Sequence, residues 1–505
     1  MVLPPGFIGI YEIVLSGRDV RSRSRLKTWK DVGTGDIKVF LAHLIAMGLV
    51  KKNCIEKYWD HGETVKTPFF GTYMSRNTFQ GILANFKVVN NEDDLPKRDP
   101  LHDPLFKVRP FIDMMKRRFL NSYRGGRDLS FDEGCCPFKG RVGFRCYNPS
   151  KPAKFHMKLF EVTDARTGYV LGFEVYVGKD KTACATTAPI LDKNCTQTTK
   201  VVIGLLNECN LLDRGHHVYM DNYYSSPELF QELHFRETFA CGTARGLRKG
   251  MPLSVTKIKL KKKGDCVFRR NGPLLCFKWR EKKDVLMLST IHEAVFVETG
   301  KKDKDGNMVE KPEAVYYYCK RMGGVDLNDQ LLNYSNFLRK SVKWARKLLI
   351  HLFNMVILNA YILNKTYGSE KLSQDEYRDR IVKFLITEGL KSYSIPLPPV
   401  ISRRLGKRSI EEHNEKRLTE RHFIQRIPAG EGRKRARPIR PCYVCNNLPG
   451  LEIQLKTKRT SYWCGQCTKP LCVTPCFELY HNHLEYTTQA IDFRLNKLTV
   501  PDNMP

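Results

Sequence analysis

The run Phe155-His-Met-Lys-Leu-Phe-Glu-Val-Thr-Asp164, continued by Ala-Arg-Thr-Gly168 and Tyr169-Val-Leu-Gly-Phe-Glu-Val-Tyr-Val177, decides the fold class. Phe155, Met157 and Leu159 alternate with His156 and Lys158, the period-two pattern of a strand, and Asp164 to Gly168 has turn chemistry. The stretch therefore predicts a β-hairpin. Upstream, an apolar segment from Leu129 leads to Asp132 as a further strand. Downstream, Val201–Leu212 suits a helix, and His217-Val-Tyr-Met220 suits a short buried strand that ends at Asp221. Strand, hairpin, helix and strand in that order predict a mixed α/β core.

On the N-terminal side, residues 38–95 read as helical, with Phe40, Leu44 and Met47 at near-helical spacing and a second helical segment around Asn77–Phe86. On the C-terminal side, residues 232–315 turn Gly- and Lys-rich, with Lys257-Ile-Lys-Leu-Lys-Lys-Lys263 and a turn at Lys301–Gly306, which predicts an insertion of short strands. As a strand, Lys257–Lys263 would place Lys257, Lys259 and Lys261 on one face, suited to tracking phosphates or to guarding a sheet edge. Helical spacing returns after Gly323-Gly324 and runs through Leu349, Phe353, Val356 and Ala360. Residues 401–440 hold 13 Lys/Arg against 5 Asp/Glu, the signature of a solvated basic linker. The expected organisation is a helical region 1–125, a core in two parts at 126–231 and 316–400, an insertion at 232–315, the linker 401–440, a cysteine-rich module 441–490 and a tail 491–505.

The 505 residues carry 85 Lys+Arg against 53 Asp+Glu, a net charge of +32, so the expected partner is a polyanion such as nucleic acid. With 42% hydrophobic and 11% aromatic residues, the charge decorates a folded chain rather than a basic tail. The longest apolar stretch, Leu348–Leu363, is 16 residues broken by His351, Asn354 and Asn359; it is short for a membrane span and suits a buried helix. The N-terminus lacks a basic start and carries Glu12 in its apolar stretch, which argues against a secretory signal. In a reducing compartment the 17 cysteines point to metal rather than disulfides. Gly432-Arg-Lys-Arg-Ala-Arg-Pro438 reads as a nuclear-localisation or DNA-backbone segment, so nuclear residence is expected.

Six cysteines lie within 442–476, spaced Cys442-x2-Cys445, Cys464-x2-Cys467, Cys472 and Cys476, and are followed by His481-x-His483. These eight thiol and imidazole groups suffice for two tetrahedral Zn2+ ions, which would supply the folding energy that so small a segment lacks. Interleaved pairing is expected: Cys442, Cys445, Cys472 and Cys476 on one ion, and Cys464, Cys467, His481 and His483 on the other. An arrangement that leaves one of the two close imidazoles exposed is equally compatible with the spacing. A cross-braced module of this kind either binds DNA or recruits ubiquitin-conjugating enzymes, and the basic linker before it favours DNA.

Asp132 lies in Ser130-Phe-Asp-Glu-Gly-Cys-Cys-Pro-Phe-Lys-Gly-Arg141, Asp221 follows a strand in Tyr219-Met-Asp-Asn-Tyr-Tyr-Ser-Ser-Pro227, and Asp326 follows Gly323-Gly-Val325 at a helix start. Each alone reads as a cap or an ion-pair partner. Three acids at strand and helix ends around one core suit two-metal phosphoryl chemistry, which needs hard oxygen ligands holding two Mg2+ about 3.5–4 Å apart. Asp329, three residues beyond Asp326 on the same helical face, is expected as a fourth ligand or as a group that orients the site.

Several of these segments, in order, resemble the piggyBac-family transposases and the piggyBac transposable element-derived proteins over most of the chain. They are Ala46-Met-Gly-Leu49, Met74-Ser-Arg-Asn-Thr-Phe79, Phe131-Asp-Glu133 with Phe138-Lys-Gly-Arg141, Met220-Asp-Asn-Tyr223, Cys241-Gly-Thr243, Gly323-Gly-Val-Asp-Leu-Asn-Asp-Gln330, Arg339-Lys340 with Trp344, and the cysteine module. The resemblance implies an RNase H-like catalytic core interrupted by an insertion domain, with an N-terminal helical region for dimerisation and DNA binding. It also implies a DDD triad at Asp132, Asp221 and Asp326 with Asp329 nearby, two catalytic Mg2+ ions, and a zinc-binding cysteine-rich domain on transposon-end DNA.

The implied reaction is strand cleavage at transposon ends, hairpin formation by the freed 3′ hydroxyl and insertion into double-stranded DNA at TTAA, by a homodimer in the nucleus. Cys135-Cys136 departs from the usual sequence after the first acid, without removing a carboxylate. Tyr223, Tyr224 and Trp344 are candidates either for stacking on unpaired bases or for packing. The alternative on the same scaffold is a domesticated, non-catalytic, sequence-specific DNA-binding protein, and a zinc-module ligase or adaptor is a third reading.

Overall fold

The computed structural model describes residues 32–392, apart from 179–181, 191–193, 303, 305 and 338, and in the C-terminal part residues 421–428, 438–446, 458–483 and 486. The readings placed on 1–31, on most of the basic linker and on 491–505 lie outside the described residues. The chain divides into two compact units at 396/397.

The first unit opens with the helices α1 (Thr34–Leu49), α2 (Pro68–Tyr73), α3 (Arg76–Asn85) and α4 (Arg109–Ser122). α1 is buried nearly all round, with Phe40, Leu44 and Met47 at or close to zero exposure, so it is a core helix. There follow β1 (Asp128–Pro137), β2 (Arg145–Tyr147), β3 (Phe155–Asp164), β4 (Val170–Val175), α5 (Ala183–Thr186), α6 (Gln197–Glu208), β5 (His217–Met220), α7 (Pro227–Phe235) and β6 (Phe239–Thr243). Next come α8 (Leu253–Thr256), β7 (Cys266–Asn271), β8 (Leu274–Arg280), β9 (Asp284–Ser289), β10 (Phe296–Lys302) and β11 (Met308–Pro312). The unit closes with α9 (Glu313–Arg321), α10 (Gly324–Tyr334), α11 (Trp344–Tyr367) and α12 (Gln374–Leu390), the last packed on α1. A capping box starts α12: Ser373 Oγ accepts from Glu376 N at 3.3 Å, and Glu376 Oε2 accepts from Ser373 N at 2.8 Å.

A nine-stranded sheet of order β2-β3-β1-β5-β6-β9-β8-β7 organises this unit, with β4 beside β2 on the outer edge of β3. β1 is antiparallel to β3 and parallel to β5, and β5 is parallel to β6. The hairpin read from the sequence is β3–β4. Its turn is held by Asp164, whose Oδ1 accepts from Arg166 N and Thr167 N at 3.0 and 2.9 Å. The simple alternation along β3 does not persist: Phe155 is exposed and His156 buried, and from Leu159 onward every residue is buried because helices cover both faces.

The segment read as an insertion is largely continuous with the sheet, since β9 pairs antiparallel with β6 and β8 and β7 follow. Among the described residues of this segment, β10 and β11 form a separate two-stranded sheet; of the turn expected at Lys301–Gly306, Lys301 and Lys302 belong to β10, and residues 303 and 305 lie outside the described residues. The expected boundaries at 231 and 315 fall inside α7 and α9. Lys257–Lys263 is not a strand: Lys261 N and Lys262 N both donate to Asp265 Oδ2, at 2.9 and 2.8 Å, so an aspartate-capped turn takes the backbone that a ladder would need.

α11 is long and apolar enough to cross a membrane by length and composition, yet 78% of its most apolar window is buried inside the fold. Its Asn359 binds both backbone groups of Val170 on β4, accepting at 3.0 Å and donating at 2.9 Å.

Candidate catalytic and metal sites

Phe131 on β1 and Met220 on β5 are parallel register partners, and Asp132 and Asp221 are the next residues. Neighbouring strands lie about 4.8 Å apart, so the two acids leave the sheet side by side. One oxygen of each is fixed by backbone: Asp132 Oδ1 accepts from Glu133 N and Asp221 Oδ1 from Tyr223 N, both at 2.8 Å. Ser225 Oγ also donates to the Asp221 carbonyl at 2.9 Å, and Ser226 caps α7. The polar run after Asp221 thus builds the turn that aims it.

α10 brings Asp326 to the same face, in its first turn. The helix presses on β1 and β3 so closely that a Cβ at Gly324 would meet Thr163 Oγ1 at 2.5 Å and the Ser130 Cβ at 2.9 Å. This contact is the physical reason for the glycine before Val325-Asp326. Asn328 Nδ2 donates to the Gly168 carbonyl at 2.8 Å and ties α10 to the β3–β4 turn.

Burial pushes Asp132 up to about 7, helped by the charges of Glu133 and Asp221. Burial and Asp326 push Asp329 up to about 7, and burial with Glu133 raises Asp221. Lys151, half-buried, would be lowered by burial, but Cys135, Asp132, Asp326 and Glu133 raise it. Acids crowded in this way favour a bound cation, and their hard oxygens suit Mg2+. Of the aromatic candidates, Tyr224 is fully buried with its ring 5.0 Å from that of Phe131, and Trp344 packs on Phe144 at 5.3 Å. Tyr223, beside Asp221, remains exposed. The sequence reading missed Lys151, on a loop without motif, and Glu161, whose place opposite Asp132 follows only from the strand register.

The C-terminal unit has β12 (Ile424–Arg426), β13 (Arg440–Pro441), α13 (Tyr443–Asn446), β14 (Arg459–Thr460), β15 (Tyr462–Cys464), β16 (Lys469–Pro470) and α14 (Cys476–Asn482). Among the described residues, two groups have ligand atoms all within 4.8 Å of one another: Cys442, Cys445, Cys472 and Cys476, and His422, Cys464, Cys467 and His481. The interleaving matches the expected pairing, but His422 stands where His483 was expected. His483 is the residue after α14, at the helix C-cap, whereas His422 enters from 42 residues before Cys464 beside the β12–β15 pair.

Cys445 Sγ lies 3.4 Å from Cys476 Sγ and 3.8 Å from Cys472 Sγ, close to the separation of about 3.8 Å for sulfurs each ~2.3 Å from one tetrahedral centre. His422 Nδ1 lies 3.4 Å from both Cys464 Sγ and Cys467 Sγ, and His481 Nε2 lies 3.4 Å from Cys467 Sγ. The other His481 nitrogen, Nδ1, faces the Phe477 carbonyl at 2.8 Å; a proton there leaves Nε2 as the ligand. Hydrogen bonds from Cys445 and Cys476 hold the Cys442 thiol far below its ordinary value.

The Transposase IS4 family model matches residues 12–361. The chain is 26% identical over 393 residues to human PiggyBac transposable element-derived protein 3, covering 75% of this chain and 62% of the relative. It is 24% identical over 345 residues to human PiggyBac transposable element-derived protein 2, covering 65% of this chain and 55% of the relative. The chain thus spans less than two thirds of the length of either human relative. In fold it is similar to the piggyBac transposase in a synaptic complex with hairpin DNA, with a TM-score of 0.66 at 20% identity over 91% of this chain and 90% of that one. With a family match over more than half its length and relatives of one lineage, the chain belongs to the Transposase IS4 family, among the piggyBac transposases and piggyBac transposable element-derived proteins.

Proposed function

We propose that this protein is a DNA transposase that cleaves and rejoins DNA strands by two-metal phosphoryl transfer, with Asp132, Asp221 and Asp326 as the triad and Asp329 beside them. The observation that carries the reading is the convergence of these acids: Asp132 within β1, where its parallel pairing with β5 ends, Asp221 just past the end of β5, and a third on a helix pressed onto the same face by Gly324. The trio β4-β3-β1 continued by parallel β5 and β6, with helices on both faces, is the arrangement an RNase H-like core requires.

Mg2+, when bound, would supply activation of the attacking oxygen and neutralisation of the leaving one. Asp132 and Asp221 keep one oxygen on a backbone N–H and present the other to the cluster. Tyr223 offers an exposed ring for an unpaired base next to Asp221. We assign Zn2+ to each of the two C-terminal groups, on the softness and spacing of their donors. The net charge of +32 supports double-stranded DNA as the substrate. TTAA targeting, a homodimer and nuclear residence are carried over from the resemblance.

The test is cleavage of a duplex carrying candidate terminal repeats, with Asp221→Ala as control. Activity in wild type and none in the variant supports the transposase. Equal behaviour of the two refutes it, and tight binding without cleavage by either leaves the domesticated DNA-binding protein.

A further inference from the structure

A carboxylate outside every motif lies within the acid cluster. Glu161 on β3 is the direct register partner of Asp132 on β1, so both side chains leave the sheet on one face, the face that α10 covers. Its carboxyl group lies against Gly134, where a Cβ would come within 2.1 Å of Oε1; the glycine leaves room for the acid. The side chain is 1% exposed, and among the described residues its Oε2 has no hydrogen-bond partner.

Burial raises the Glu161 carboxyl strongly, and the charges of Asp329 and Asp132 raise it further, with Lys151 opposing. A carboxylate this buried is costly unless a cation or donors satisfy it. A structural role would be visible as an ion pair or a set of backbone donors. Among the described residues neither meets Oε2, while two other acids, Asp132 and Asp329, border the same space.

We propose that Glu161 is a cation-binding residue of this cluster, a fifth carboxylate beside Asp132, Asp221, Asp326 and Asp329, for an oxygen-preferring divalent ion such as Mg2+ or Mn2+. The proposal rests on reading those four acids as the metal site. The added negative charge tightens divalent binding, because affinity at such sites rises with the number of charged ligands.

The test is Mn2+ titration of the full-length, zinc-loaded protein, with free Mn2+ read by electron paramagnetic resonance and with the metal-free unfolding midpoint measured beside it. Glu161→Gln, which keeps the volume and removes the charge, is expected to weaken Mn2+ binding about tenfold or more without lowering the metal-free midpoint. Gly134→Ala keeps the acid but displaces it, and is expected to weaken Mn2+ binding as well. Wild-type affinity in Glu161→Gln, with the site lost in Asp132→Asn/Asp326→Asn, would overturn the proposal and leave the triad reading standing. A site that survives in the double variant would overturn both. A lowered midpoint with unchanged Mn2+ affinity would make Glu161 structural and also overturn the proposal.

Discussion

Phe131 and Met220 face each other across two parallel strands, and the residue after each is an aspartate. That register alone puts Asp132 beside Asp221, because parallel partners stay in step until one strand ends. The third acid depends on a different contact, the one between α10 and the sheet.

Gly324→Ala tests that contact. The added Cβ would meet Thr163 Oγ1 at 2.5 Å and the Ser130 Cβ at 2.9 Å, so α10 must move and carry Asp326 and Asp329 with it. The expected cost is about 1–3 kcal/mol in denaturant unfolding, with DNA cleavage reduced far more than DNA binding. Unchanged cleavage in a folded variant would show that the helix position is not critical.

Asp164 supports the same assembly from the β3–β4 turn. It accepts from Arg166 N, Thr167 N and Thr167 Oγ1 on one oxygen, and from Gly126 N and Tyr123 Oη on the other. Burial pushes its carboxyl up, but the bonds from Gly126, Thr167 and Tyr123 outweigh this and hold it below the usual range. A depressed folded value stabilises the protein above the unfolded value and is lost as the pH falls through the folded one. Wild type should therefore lose stability as the pH drops below about 4, and Asp164→Asn should lack that part of the loss. Asp164→Ala should cost about 2–4 kcal/mol at neutral pH, measured by urea unfolding.

Zinc content separates the two histidines at the end of the module. His422→Ala should lower bound zinc by about one equivalent per chain, measured by elemental analysis, while His483→Ala should retain it. The reverse result would restore the pairing read from the sequence spacing.

A protein of net charge +32 that binds DNA through many phosphates should be strongly salt-dependent. With six to ten phosphates contacted, affinity should fall about 10³–10⁵-fold between roughly 50 and 200 mM salt in a fluorescence-anisotropy titration. A flat response would argue against backbone contacts as the source of binding.

The α/β class, the β3–β4 hairpin, the strand before Asp221 and the helix after Gly324 were legible because local periodicity and turn chemistry carry them. What escaped was set by distant pairing. The β6–β9 contact that joins the presumed insertion to the sheet links residues more than forty apart, and no local pattern encodes it. Glu161 looked like one polar residue within a strand, and only its register with Asp132 reveals it. His422 was hidden by its distance from the cysteines, while His483 was favoured by proximity alone.

The central claim is that these carboxylates form a strand-cleaving centre. It is tested most directly by Mg2+-dependent nicking and hairpin formation on a duplex with terminal repeats flanked by TTAA, run beside Asp132→Asn and Asp326→Asn. Products from wild type and none from either variant, all three binding the duplex equally, is the predicted result. Cleavage that persists in both variants would contradict the account.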